Sequence, residues 1–182
     1  MKGEVNALRM VSDDSTFAEL YEREVDYVFA TLQRLRVPAA DLPDVAHDVF
    51  LVVHARLHTW DRTRPVRPWL FGIALRVVAD LQKSARVRRE VLEPPAETPD
   101  PTLPADEQLA RQQDREMVHR ALGALELDFR AVFILHDIDG VSIPEIAEPL
   151  SVSINTLYSR LRIARKKFTE AIRREQLRRG AE

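Results

Sequence analysis

Residues 141–167 read V-S-I-P-E-I-A-E-P-L-S-V-S-I-N-T-L-Y-S-R-L-R-I-A-R-K-K, and few architectures accommodate such a run. Ser142 followed three residues later by Glu145 is the S-x-x-E signature of a capping box, which marks a helix start. A short helix should pass through Ile146 and Ala147 to about Leu150. After a tight turn at Ser151-Val152, Ser153 caps a second helix. Leu157, Leu161, Ala164 and Phe168 then recur at spacings of four, three and four, one face of a helix. Asn155, Tyr158, Ser159, Arg162, Arg165 and Lys166 lie mostly off that face. A short helix, a tight turn and a longer basic helix with small polar residues at its start form the pattern of a DNA-reading helix-turn-helix. A solvated helical hairpin would share the caps, so the charge has to separate the two readings. Ser153 to Arg179 holds nine Lys and Arg against two Glu, in a chain whose net charge is −2. Such a bias costs self-repulsion unless a polyanion answers it, and DNA is the polyanion that fits.

Charge is segregated elsewhere too. Asp13 to Asp61 carries ten acids and four arginines, Arg76 to Arg89 five cations and one acid, and Glu90 to Glu116 eight acids and two arginines. Only five glycines, with long stretches of Ala, Leu, Val, Glu and Arg, favour an all-α chain. The absence of cysteine excludes disulfides, thiolate metal sites and a cysteine nucleophile. No continuous apolar leader opens the chain and no stretch reaches the roughly 20 apolar residues of a membrane span, so the expectation is a cytoplasmic protein without membrane insertion.

Pro94, Pro95, Pro99, Pro101 and Pro104 lie among acids in residues 91–106. Proline removes donors and disfavours helix before it, so this reads as a partly extended, acidic linker. It divides the chain into a three-helix N-terminal module, residues 13–90, and a four-helix C-terminal module with the helix-turn-helix, residues 107–178. Phe17, Leu20, Tyr21, Val28, Leu32 and Leu35 make the stripe of the first helix, which Val37-Pro38 ends. The second runs from about Asp41 to Thr59. The third starts near Pro68 and continues through Leu70, Ile73, Ala74, Val77, Val78 and Leu81. Helices are also expected over about 107–125 and 128–137, the latter broken by Asp139-Gly140.

At 100° per residue the second helix has two faces. Val45, Val49, Val52, Val53 and Leu57 share one; Asp44, His47, Asp48, His54 and His58 share the other. Three histidines spread over two to three turns do not converge on one ion without ligands from elsewhere, so an acidic face for a basic partner is the better reading and no metal is expected. Trp60 to Trp69, W-D-R-T-R-P-V-R-P-W, forms a stiff loop with two tryptophans and three arginines. Trp69 suits a place in the core, whereas Arg62, Arg64 and Arg67 beside aromatic rings suit unstacked bases and phosphates.

These pieces, in this order, resemble the extracytoplasmic-function subgroup of the sigma-70 family over about residues 15–90 and 110–175. Asp44-Val45-Ala46-His47-Asp48-Val49-Phe50-Leu51 is similar to region 2.2, which implies that Asp44, His47, Asp48, Phe50 and Leu51 contact bacterial core RNA polymerase. Pro65 to Ala74 resembles region 2.3, entering the helix that melts and reads the minus-ten element. Arg62, Arg64, Arg67, Trp69, Arg76, Asp80, Lys83, Arg86 and Arg88 are then the minus-ten DNA set. Leu125 to Lys167, with Arg130, Asp139-Gly140 and Glu145-Ile146-Ala147, resembles region 4. That gives Ser153, Asn155, Thr156, Tyr158, Ser159, Arg160, Arg162, Arg165 and Lys166 as the minus-35 set. The sequence departs from the family pattern at His47, usually Gln; at Arg76, usually Asn; and at Ser151, usually Gly, with Pro149 in the helical turn before it.

The function implied is binding without catalysis or cofactor: a sigma factor that takes core polymerase to promoter DNA and answers to an anti-sigma partner. Two weak DNA-reading modules held at fixed separation raise each other's effective concentration. A stand-alone helix-turn-helix regulator is the alternative, but it leaves the acidic second helix and the Trp-Arg loop idle. An enzyme would need convergent histidines and carboxylates, and the five histidines are split between the modules.

Overall fold

The computed structural model describes residues 2–88 and 105–179, with side chains over 16–84 and 112–178. Most of the linker expected at 91–106 therefore lies outside the described residues. Every described element is helical, as the all-α expectation required. The first set comprises α1 (Lys2–Arg34), α2 (Leu42–Arg56) and α3 (Val66–Arg88). Short 3-10 turns at Ala39–Asp41 and Leu57–Thr59 flank α2. The second set comprises α4 (Ala105–Gly123), α5 (Leu127–Phe133), α6 (Ile143–Leu150) and α7 (Ile154–Arg179).

Local signals account for most boundaries. α1 stops where Arg36 enters the left-handed region at φ 71°. The Arg36 N–H donates to the Gln33 carbonyl and the Val37 N–H to the Leu32 carbonyl, a Schellman closure that Pro38 then seals. α6 ends the same way. Ser151 has φ 56°, with N–H bonds from Ser151 to Glu148 and from Val152 to Ala147. The helix foreseen over 128–137 is less regular than its pattern suggested. After Phe133 it widens into a π-helical turn, Ile134–Ile138, and Gly140 at φ 72° completes the break.

The expected stripes face inward except at Tyr21, which is 42% exposed at the edge of the first helix stripe. Leu20, Val28, Leu32 and Leu35 of the first helix region pack with Val45, Val49 and Val53 of α2 and with Leu70, Phe71, Ala74 and Val78 of α3. Leu122, Leu125, Val132, Ile134, Leu135, Ile146, Leu157 and Leu161 line the second set. The apolar cluster runs on without interruption from one set to the other. Each such fully buried side chain stabilises the fold by about 1.5–3 kcal/mol relative to exposure.

One charge is buried where the sets meet. Arg130 is 7% exposed. Its Nε donates to the Leu122 carbonyl at 2.8 Å and Nη2 to Leu125 at 2.7 Å, while Nη1 reaches the Leu35 carbonyl, at the end of α1, at 2.7 Å. Burial, and then the like charge of Arg36, pushes its pKa down to about 10, so the guanidinium stays charged at neutral pH and all three donors remain in use. An Arg130→Met substitution preserves much of the volume but strands the Leu35 and Leu125 carbonyls, while Leu122 keeps the Leu125 N–H. We expect it to lower the unfolding free energy by about 3 kcal/mol or more in urea titrations, because each unpaired buried acceptor carries its own desolvation cost.

Candidate nucleic-acid interfaces

Three surfaces carry the residues singled out by the sequence. On α2, Asp44, His47, Asp48 and Leu51 are exposed together, while Val45, Val49 and Val53 on the opposite side are buried. Leu51 is 56% exposed, so this acidic face has an apolar side chain at its centre. Phe50 corrects the expectation. It is only 5% exposed and its ring lies edge-on to Tyr21 at 4.6 Å, so it supports the face from inside and has no free surface to offer a partner. His54, expected on the outer face, is exposed there and sets its ring edge-on to Phe17 at 4.9 Å.

The second surface is the Trp-Arg loop with α3. Asp61 shapes the loop by accepting from the Thr63 N–H and hydroxyl, bonds that hold its carboxyl below the usual carboxylate range. Trp60 and Trp69 are half-buried and stack on each other with ring centroids 6.3 Å apart. Trp69 thus packs against the core, as its position suggested. Arg62 is exposed; Lys83 is exposed and pairs with Asp80 at 3.3 Å, a contact of little energetic weight at 77% exposure of both partners. The side chains of Arg86 and Arg88 lie outside the described residues.

The helix-turn-helix forms the third surface. The capping box is complete: the Glu145 carboxylate accepts from the Ser142 N–H at 3.2 Å and from its hydroxyl at 2.5 Å. Ser153 caps α7, its Oγ accepting from the Thr156 N–H at 3.2 Å. Leu157, Leu161 and Ala164 are buried, and Phe168 packs on Phe133 with centroids 4.4 Å apart. Ser153, Asn155, Thr156, Tyr158, Ser159, Arg162, Arg165 and Lys166 are exposed. Arg160, half-buried, pairs with Asp128 at 2.6 Å, and Arg165 forks onto both oxygens of Asp137 at 2.8 and 2.6 Å.

Comparison with known proteins gives this arrangement a lineage. Residues 20–88, holding α2, the Trp-Arg loop and α3, match Sigma-70 region 2, and residues 115–168 match Sigma-70, region 4. The ferric citrate uptake sigma factor FecI of Escherichia coli is 32% identical over 143 residues, 78% of this chain and 82% of FecI. NccH, an RNA polymerase sigma factor of Alcaligenes xylosoxydans xylosoxydans, is 27% identical over 173 residues, 91% of each chain. CnrH, solved with the cytosolic domain of CnrY, superposes with a TM-score of 0.59 at 27% identity, covering 86% of this chain and 87% of CnrH. The chain belongs to the extracytoplasmic-function sigma factors of the sigma-70 family. It is a sigma factor that directs transcription initiation.

In this sigma factor, several cations assigned to DNA are already engaged within the protein. Arg67 pairs with the buried Glu24 at 2.9 Å and lies over the Tyr27 ring, 4.8 Å from its centroid; Glu24 holds the guanidinium pKa above its usual value. Arg64 bonds Glu148 of α6. Arg76 reaches Pro149 and Ser151. The three positions of unusual identity at α3 and the α6 turn thus meet in one place. A second cluster gathers around Asp139, marked in the sequence only as a helix break. Asp139, whose side chain is 10% exposed, accepts from the Tyr27 hydroxyl at 2.9 Å and from Arg34 at 3.0 Å. Burial raises the Asp139 carboxyl despite both partners, and burial followed by the nearby Asp139 charge raises the Tyr27 phenol.

Asp137 offers a test on the third surface. Hydrogen bonds from Arg165 hold its carboxyl below the usual range, so the pair persists at neutral pH and is lost only as pH falls through that depressed value. Asp137→Asn removes the charge that holds the Arg165 guanidinium. Titrations of duplex binding at several salt concentrations should then show tighter binding, with the slope of log K against log salt steeper by up to about 0.9.

Proposed function

We propose that the α2 face of Asp44, His47, Asp48 and Leu51 docks on a basic surface of core RNA polymerase, that α7 reads the minus-35 element and that α3 with its preceding loop reads the melted minus-ten element. The observation that carries this reading is the exposure of the acidic α2 face on the same chain as a capped basic helix whose polar residues are solvent-facing. We take residues 13–90 and 107–178 as the two working domains and 91–106 as the tether. On α7, Ser153, Asn155, Thr156, Tyr158 and Ser159 stand nearest the bases, where side chains can read major-groove edges. Arg160, Arg162, Arg165 and Lys166 supply phosphate contacts that set register.

Within the first domain, Arg62 and Lys83 are exposed and ready for the non-template strand, with Arg86 and Arg88 completing the basic run. Capturing a base costs little once it is already unpaired, which suits a module that acts after the duplex opens. The chain acts by binding alone, without a chemical step, in the cytoplasm where polymerase and promoter DNA reside. No described helix is long and apolar enough to cross a membrane. CnrH is solved with the cytosolic domain of CnrY, and RpoE from Bartonella quintana, a sigma factor of similar fold, is solved with the anti-sigma factor NepR. A partner of that kind covering the α2 or α7 surface is part of this proposal.

Charge reversal tests the polymerase face. Asp44→Lys with Asp48→Lys should abolish association with core polymerase in size-exclusion and run-off transcription assays. Both residues are exposed, so thermal stability should change by no more than about 0.5 kcal/mol per site. Retained association would remove the α2 face from the mechanism. A second measurement addresses α7: Arg162→Ala with Lys166→Ala should weaken promoter binding and flatten its salt dependence, while leaving association with core polymerase intact.

A further inference from the structure

The start of α7 carries apolar surface that phosphate binding does not call for. Six large apolar side chains are exposed among the described residues, and two of them, Ile154 at 43% and Tyr158 at 57%, stand one turn apart there. At 100° per residue they share one edge of the helix. The buried Leu157, Leu161 and Ala164 lie on one side of that edge, and the exposed line of Asn155, Ser159, Arg162 and Lys166 on the other. Helical side chains lean toward the N-terminus, so Tyr158 extends over the turn that begins at Ile154 and the pair makes one apolar patch at the helix tip. Two turns further along the same edge, Arg165 is drawn onto Asp137. A lone exposed isoleucine needs no explanation, but this pair sits at the end of a helix-turn-helix that meets base edges.

The chemistry of duplex DNA restricts what can cover such a patch. Isoleucine has no side-chain donor or acceptor, so it reads no nitrogen or oxygen on a base edge. The apolar group that the major groove displays is the thymine 5-methyl, on which aliphatic and aromatic side chains pack. We propose that Ile154 and Tyr158 are specificity-determining residues that pack on thymine methyl groups, so that the upstream element read by α7 contains thymine selected for its methyl alone. The inference rests on the assignment of α7 to that element and adds the base chemistry that this edge selects. Asn155, Ser159 and Arg162 address the donors and acceptors of the groove, and the apolar edge separates thymine from cytosine, which lacks the methyl.

The full-length protein, bound to core polymerase, is first given a pool of duplexes randomised across the upstream element, and the preferred sequence becomes the probe. Deoxyuridine then replaces thymine one position at a time on either strand, which removes the methyl and keeps every donor and acceptor of the base. Binding should weaken by about fourfold at a methyl that the protein covers. Ile154→Ala and Tyr158→Ala lie at exposed positions and should fold as the parent does. Each should lose a similar factor on the thymine probe, yet bind the matching deoxyuridine probe as the parent does, because both changes remove one contact. Deoxyuridine tolerated at every position, or a methyl effect undiminished when both residues are alanine, would overturn the methyl contact. Weaker binding by Arg162→Ala with Lys166→Ala would in that case keep α7 on the upstream element and leave the functional reading standing. A pool that returns no preference, with the Arg162 and Lys166 variant binding as tightly as the parent, would overturn the functional reading and the methyl contact together.

Discussion

The Arg130 guanidinium is the contact on which the arrangement of the helices depends. A fully charged side chain at 7% exposure has no carboxylate partner; its compensation comes from the carbonyls of Leu122, Leu125 and Leu35. The Leu35 and Leu125 carbonyls are acceptors that helix ends leave over, and the Leu122 carbonyl shares its lone pairs between Arg130 and the Leu125 N–H. The rigid fork of arginine meets several backbone acceptors at once, which a lysine ammonium could not do in a plane. The end of the first helix set is thereby fixed to the α4–α5 junction, and the apolar cluster can run on from one set to the other.

Around that anchor, charge segregation along the chain becomes charge pairing in space. Arg34 meets Asp139, Arg64 meets Glu148, and Arg67 meets Glu24. The exposed pairs contribute little stability in water. Their consequence is to occupy cations that would otherwise attract phosphate. The acidic face of α2 is left out of this pairing among the described contacts, which fits a surface kept for an external basic partner. A binding protein with two DNA-reading parts gains from such an arrangement, since a free chain with every cation exposed would adhere to any DNA it met.

Helix content, the capping box and N-cap of the helix-turn-helix and most of the inward stripes were legible because each rests on contacts three or four residues apart. Ser142 with Glu145, Ser153 with Thr156, and Leu157-Leu161-Ala164 all fall where their spacing put them. Phe50 was misplaced for a related reason. The motif resemblance grouped it with the exposed Asp44, His47, Asp48 and Leu51, whereas it sits beside buried Ala46 and Val53 with the Tyr21 and Phe17 rings packed against it. The π-helical turn at Ile134–Ile138 left no readable signal either, because its residues are ordinary helix formers and the widening depends on how Asp139 and Val141 are held.

By itself the sequence determined the helices, their caps, their buried and exposed faces, and the family whose motifs they carry in order. Those properties follow from local backbone preferences and short-period burial, which a single chain displays without reference to its fold. Only the tertiary structure decided which arginines face solvent and which are spent inside. The partners of Tyr27, Arg34, Arg76 and Arg130 lie 112, 105, 73 and 95 residues away. No spacing rule reaches that far: such pairs form because a shared apolar core brings the helix sets together, and the charges then find the acceptors that packing has placed within reach.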